Sequence, residues 1–342
     1  MLGDSHNFGR AVRSENSLVL KSRTVFWEWL LLGGDSPLSL YFSSLNEDLH
    51  LPFTVFPRLS FELNEYPNES KCERLKVNEI AFDEYVFTDV QLGAFGSVLA
   101  LCHFFGISDL HYENTVFGID EKDGRLIFCP IDVEVVFENN ILLSQALLLE
   151  SDSLTNGKSG TQSLLAGLNN NQLTKVIVSY LEYSYLLGRY RKQIINYLQN
   201  ELFIGKQRVR VLIRPTADYA TDRDDRKFSR CENEQLDRGD IPYYFRFLES
   251  KTIYHYTSKE GIYKPCLISD RDLEPTLNHI MDYDSLEHKF DDSVFLVSAL
   301  QMIKRVIDEA PFTFELVSIF RLDITKDKIL MNYRGNKIGC YL

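Results

Sequence analysis

Along residues 8–23, FGRAVRSENSLVLKSR, two short apolar runs flank the polar stretch Ser14-Glu15-Asn16 and predict a hairpin. Phe26 to Leu32 is apolar and aromatic, the pattern of a helix closed by Gly33-Gly34. Residues 51–64 read as strand, and 67–79 as a polar loop of mixed charge. Leu92 to Phe105 is apolar with small residues interspersed, which predicts a buried helix ending at Gly106. Thr115 to Ile119 and Arg125 to Ile131 follow as the strands of a second hairpin, turned by Asp120-Glu121-Lys122-Asp123-Gly124.

The second half of the chain is less regular. Residues 150–172 are rich in Ser, Gly, Thr and Asn and predict a mobile loop. Lys175 to Glu201 reads as a helix, or as a helix pair broken near Gly188. Residues 206–219 hold a strand and an Arg-rich turn, 220–240 are highly charged, and a helix is expected at Ser293 to Asp308. Mixed helices and short strands predict an α+β fold with no internal repeat.

Composition narrows this only a little. The 342 residues suffice for one large domain or two lobes, and 44% hydrophobic with 25% charged residues is an ordinary globular balance. A net charge of −12 argues against broad nucleic-acid or anionic-membrane binding, while leaving room for a local cationic phosphate pocket. No apolar stretch approaches a membrane span, and the N-terminus lacks the apolar core of a signal peptide, so a cytoplasmic protein is expected. The six cysteines are scattered without a C-x-x-C pair or zinc spacing, and are read as free thiols in a reducing compartment.

The chemistry concentrates in GISDLHYENTVFGIDEKDGRLIFCPIDVEVVF, residues 106–137. Asp109 and Asn114 stand five apart, a hairpin follows, and Asp132 and Glu134 interrupt the apolar run beyond it. Polar groups in such a run are costly to bury unless something binds them. Kinases use this spacing: a base Asp orients the acceptor hydroxyl, and an Asn five residues on joins a second Asp in holding Mg²⁺ against ATP phosphates. His111 lies inside the same loop, as a loop support or a phosphate contact. Upstream, GDSHNFGRAV supplies Gly3 and Gly9 as a glycine loop, and LVLKSR puts Lys21 on a strand just after it as the phosphate-binding lysine.

With these pieces in order, the chain resembles the dehydratase domain of class II (LanM-type) lanthipeptide synthetases. The matching stretches are GDSHNFGRAV…LVLKSR, LGAFGSVLALCHFFGISDLHYEN, PIDVEVVF, RVLIRPTADY and ENEQLDRGDIPYYF, which cover most of residues 3–250. The resemblance implies a bilobal lipid-kinase-like fold with additional helical and elimination-site elements. Its small, truncated lobe would be residues 1–90, and its large lobe 91–342, with the elimination region near 206–250. It implies ATP and Mg²⁺ as cofactors and a precursor peptide as substrate, whose Ser and Thr are phosphorylated and then lose phosphate.

By the same resemblance Asp109, His111, Asn114, Asp132 and Glu134 serve phosphorylation and metal binding, with Asn114 and Asp132 as the metal ligands. Asp4, His6 and Lys21 match the small-lobe motif and bind the nucleotide, Lys21 acting in catalysis as well. Elimination would rest on Arg210 and Thr216, with Arg214 nearby. Elimination expels phosphate as it removes an α-proton, so cations near both the enolate and the leaving group suit it. The family's usual Pro after the lysine is Ser22 here, and the segment between Tyr219 and Glu232 is shorter. The zinc-binding cyclase domain has no counterpart in the Cys/His pattern, so a short stand-alone enzyme working with a separate cyclase or partner protein is expected. A protein or small-molecule kinase without elimination, and a degenerate member binding nucleotide or peptide as a partner protein, stay open as alternatives.

Overall fold

The computed structural model describes residues 6–78, 80, 85–110, 112–137, 167–214, 219, 228–266, 296, 297, 299, 300, 312–316, 319–325 and 328–341. Of the predicted site residues, Asp4, His111 and Thr216 lie outside these, as do most of the loop expected at 150–172 and most of the helix expected at Ser293 to Asp308.

The N-terminal hairpin forms as β1 (Arg13–Glu15) and β2 (Leu18–Lys21), with Glu15 opposite Leu18. Its turn is therefore Asn16-Ser17, one residue later than the polar run suggests, and Asn16 takes the left-handed φ of 55° that Asn tolerates. The expected strand over 51–64 is mostly absent. A 3-10 helix covers Glu47–Thr54, and only β3 (Phe61–Glu62) is extended. Pro52 and Pro57 cannot donate to a ladder, and the Asn46 side chain caps the 3-10 turn by accepting from Asp48 N at 2.9 Å. The polar stretch 67–79 instead holds β4 (Ser70–Glu73) and β5 (Val77–Asn78). Ser70 and Cys72 alternate inward along β4, a two-residue period that its mixed charge hides. The first sheet runs β1-β2-β4-β3.

The second hairpin is β6 (Thr115–Asp120) and β7 (Leu126–Pro130), joined by β5 into a three-stranded sheet. A third sheet, β11-β10-β9-β8, contains β8 (Arg208–Val211), β9 (Tyr244–Phe247), β10 (Tyr254–Tyr256) and β11 (Tyr263–Pro265). A meander of β12 (Phe312–Leu316), β13 (Phe320–Ile324), β14 (Lys328–Tyr333) and β15 (Asn336–Tyr341) completes the described strands. All strand pairs within these sheets are antiparallel, and helices pack beside them, which is an α+β arrangement.

Helix α1 (Phe26–Leu32) and α2 (Pro37–Leu45) follow the first hairpin, α2 starting from a Ser36 cap with Pro at its first position. Helices α3 (Asp89–Phe104) and α4 (Asn170–Asn200) each open on a capping box, Thr88 with Gln91 and Asn169 with Gln172. They approach so closely that a Cβ on Gly96 would lie 2.2 Å from Val176 O and 2.7 Å from Tyr180 N. Helix α4 runs unbroken through Gly188, because Leu187, Ile194 and Leu198 are buried on both sides of it. The short α5 (Arg230–Leu236) begins at a third capping box, Ser229 with Glu232.

The cysteines also depart from expectation, for Cys231 on α5 and Cys266 just after β11 form a disulfide, Cα to Cα 6.2 Å. Their separation of 35 residues carries no pairing signal, since helix-to-sheet packing alone brings them together. Among the described residues Cys72, Cys102, Cys129 and Cys340 are free. Burial pushes the Cys72 thiol up to about 11 and raises Cys102 and Cys129 as well, so these three are protonated packing groups at neutral pH.

Candidate functional site

Three segments converge on one buried charge network. The first runs from β2 into α1. Lys21 ends β2, and Arg23 follows two residues later in the bend that leads to α1. Glu28, the single charged residue of α1, sits in its first turn. Lys21 Nζ donates to Glu28 Oε1 at 2.9 Å and also to Asp132 Oδ1. Arg23 Nη2 makes the same two contacts, at 2.7 Å to Glu28 Oε1 and again to Asp132 Oδ1. Each of those oxygens therefore lies between two cations.

The second segment links the loop after α3 to the chain after β7. Ser108 N donates to Val135 O at 3.0 Å, Phe137 N to Phe105 O at 2.7 Å, and Ile131 N to Asn114 O at 2.8 Å. This backbone pairing is what sets Asp109 and Asn114 beside Asp132 and Glu134. Asn114 Nδ2 donates to Asp109 O at 2.8 Å, which turns its amide oxygen away from that carbonyl. Asp109 and Asp132 both adopt left-handed φ, 62° and 57°, conformations that cost free energy and are held by the surrounding bonds.

The third segment is β8. Arg210 N donates to Glu134 O at 3.0 Å, and the Arg210 guanidinium pairs with Glu134 Oε1. Arg23 Nε stands 2.8 Å from Glu134 Oε2, an ion pair whose angle falls outside hydrogen-bond geometry. Trp27 Nε1 donates to Arg208 O at 2.8 Å and so ties α1 to the same strand. The network thus reads Lys21, Glu28, Asp132, Arg23, Glu134, Arg210, three cations with three carboxylates.

Burial alone would raise the Asp132 carboxyl, but Lys21 and Arg23 beside it hold it well below the usual carboxylate range. Burial alone would lower the Lys21 ammonium, but Asp132 and Glu28 outweigh it and raise it. Arg23 and Arg210 are raised in the same way, Glu134 being the chief opposing charge for both. Lys21, Arg23, Arg210 and Asp132 are therefore charged at neutral pH. Asp132 alone opens to solvent, its side chain 33% exposed against 4–9% for the other five. Arg210 Nε is buried without a hydrogen-bond partner.

The remaining predicted residues fall elsewhere. Arg214 does not join Arg210. Its guanidinium forks onto buried Glu232 at 2.6 and 3.2 Å, where Tyr219 OH also donates at 3.1 Å. His6 Nδ1 lies 2.7 Å from Ile241 O, and its ring is 5.7 Å from that of Tyr243, which in turn lies 5.5 Å from the Arg210 guanidinium. Arg23, Glu28 and Tyr243 were not singled out from the sequence. The signals for the first two were a second cation at strand spacing from Lys21 and a lone acid inside an apolar helix, which requires a buried partner.

No group of three or more His, Cys, Asp or Glu able to hold a metal occurs among the described residues. The donor set suits a hard cation that takes Asn114 and Asp132 oxygens and completes its shell with phosphate and water, as Mg²⁺ does. No helix among the described residues is long and apolar enough to cross a membrane. No family model matches the chain, and a search of curated proteins returned no match.

Proposed function

We propose that the chain is a Ser/Thr peptide dehydratase of the lanthipeptide kind, built on a bilobal lipid-kinase-like frame. It would phosphorylate a precursor peptide with ATP and then eliminate the phosphate. The observation that carries the reading is Lys21 Nζ shared by Glu28 and Asp132, with Arg23 and Glu134 linking that cluster to Arg210. A strand lysine paired with a helix glutamate and with the carboxylate after the hairpin is the arrangement phosphotransfer needs.

In the first step Asp109 orients the Ser or Thr hydroxyl and accepts its proton. Lys21 and Arg23 receive the phosphate oxygens. Asn114 and Asp132 would hold Mg²⁺, which would supply neutralisation of the phosphate charge. In the second step the α-proton passes to solvent, its electron pair forms the Cα=Cβ double bond, the Cβ–O bond breaks, and phosphate departs with that bond's electrons toward the Arg210 guanidinium. Lys21 and Arg23 face the same phosphate from the other side, so the group would not need to leave the network between steps.

One observation favours a kinase that stops at the phosphorylated product. Arg214 is committed to Glu232, which leaves Arg210 without its expected second arginine. Mass spectrometry of a precursor peptide incubated with the protein, ATP and Mg²⁺ separates the two. Loss of one water per site supports the dehydratase, and gain of one phosphoryl group per site replaces it with the kinase. Asp109→Ala should abolish both products and Arg210→Ala should accumulate phosphopeptide; normal dehydration by Arg210→Ala would remove the lyase assignment.

A further inference from the structure

The N-terminal loop contains a built anion site that the proposed reaction does not use. His6 and Arg10 close the loop as an antiparallel bridge, N to O at 2.9 and 2.8 Å. Between them Asn7, Phe8 and Gly9 all take left-handed φ, 48°, 70° and 79°. Successive backbone N–H groups turned to one side make an anion-binding concavity. Phe8 N donates to Asp240 Oδ2 at 2.8 Å and Gly9 N to Asp240 Oδ1 at 2.7 Å, one amide for each carboxylate oxygen. The Asp240 side chain is fully buried, and Arg238 Nε reaches its Oδ2 at 3.3 Å while the guanidinium covers the Phe8 ring at 4.0 Å.

The glycine stretch looked suited to nucleotide phosphate, yet its two amides point at a carboxylate of the same chain. We infer that residues 6–10 form an oxyanion nest whose resident ligand is Asp240, and that Asp240 is a positioning residue. The clasp fixes His6 against Ile241 O and beside Tyr243, next to the Arg210 end of the charge network. Phosphate contact is thereby left to the side chains Lys21, Arg23 and Arg210. The consequence for the reaction rests on the dehydratase reading; the clasp itself does not.

Asp240→Ala removes a group the size of formate, so formate is the probe. The variant should melt below the wild type, and sodium formate should raise its melting temperature by about 2 °C or more beyond sodium chloride at equal ionic strength. Wild type and Asp240→Asn should show no such difference, the first because the nest is filled and the second because an amide nitrogen faces an N–H. Equal response to both salts in Asp240→Ala would overturn the clasp. Should that variant fail to fold, hydrogen exchange of the wild-type segment 6–10 decides, protected amides supporting the clasp and free-peptide exchange refuting it. In the peptide assay formate should restore part of the kcat lost by Asp240→Ala, with KM for ATP moving less than kcat. Rescued melting without any peptide modification by wild type would discard the dehydratase and keep the clasp.

Discussion

Replacing Arg23 by methionine keeps much of the side-chain stem and deletes the one guanidinium that touches Glu28, Asp132 and Glu134 together. Two cations, Lys21 and Arg210, then face three carboxylates. Removing one partner of a buried ion pair costs about 3–5 kcal/mol, because the other charge stays buried without compensation. Glu28 and Glu134 meet that description, whereas Asp132 is a third exposed and its share is screened by solvent. The expected loss is accordingly about 3 kcal/mol, nearer the lower bound. Urea unfolding should read it as a lower midpoint at unchanged slope. Glu134→Gln alone should also destabilise, but the double variant restores the charge balance and should lose less than the sum by about 1 kcal/mol or more. The pH dependence has a defined sign. Asp132, held low, contributes stability above the ordinary carboxylate pKa that fades as pH falls below it, while Lys21, held high, contributes below the ordinary amine pKa and fades at more alkaline pH. Arg23→Met should flatten the acid limb. A loss under about 1 kcal/mol, or strict additivity with Glu134→Gln, would show that the six groups do not act as one network.

Gly96→Ala should destabilise by about 1–3 kcal/mol despite alanine's better helix propensity, because the new Cβ meets α4 backbone; a stabilised variant would refute the packing of α3 on α4. His255 is fully buried with neither ring nitrogen bonded, and burial, then Lys264, push its pKa down to about 4. Its neutral form therefore contributes stability that is present above the ordinary histidine pKa and lost as pH falls toward 4, up to about 3 kcal/mol, and His255→Phe should remove that slope. Thiol titration of the denatured, unreduced protein should find four of the six cysteines, and reduction should cost about 3–4 kcal/mol; six thiols without reductant would disprove the Cys231–Cys266 bond.

Elements whose cause is local were legible in the chain. Phe26–Leu32, stopped by Gly33, and the hairpin Thr115–Asp120 with Leu126–Pro130 need only their own residues and turns. Helix α3 was legible for the same reason, its apolar surface being nearly continuous. Misreadings arose where a non-local cause prevails. Gly188 costs its helix about 1 kcal/mol, less than burial of Leu187 and Ile194 on the neighbouring turns returns, so α4 does not break. The apolar run 51–64 looked extended because composition ignores what Pro52 and Pro57 remove. The Cys231–Cys266 pair depends on where α5 docks, which no spacing records.

The candidate site divides the same way. Asp109, Asn114 and Asp132 could be grouped because a hairpin of known length returns the chain to its start, a local geometric fact. Arg23 and Glu28 were passed over because a charge looks solvated until its partner is known: the Arg23 partners Asp132 and Glu134 are more than a hundred residues away, and Glu28 meets Lys21 and Arg23 only because α1 turns back onto the end of β2. Their placement decides what the site can accept. Asp132 is the exposed member of the network, and its Oδ1 is already shared by Lys21 and Arg23. A divalent cation arriving at that oxygen would displace two positive groups, leaving them only Glu28 and Glu134 to face. An incoming polyphosphate supplies the missing negative charge at the same place. On the proposed phosphotransferase reading, the charge count would therefore favour a metal and a phosphate entering together over either alone, the form in which Mg²⁺ and ATP are offered to such an enzyme.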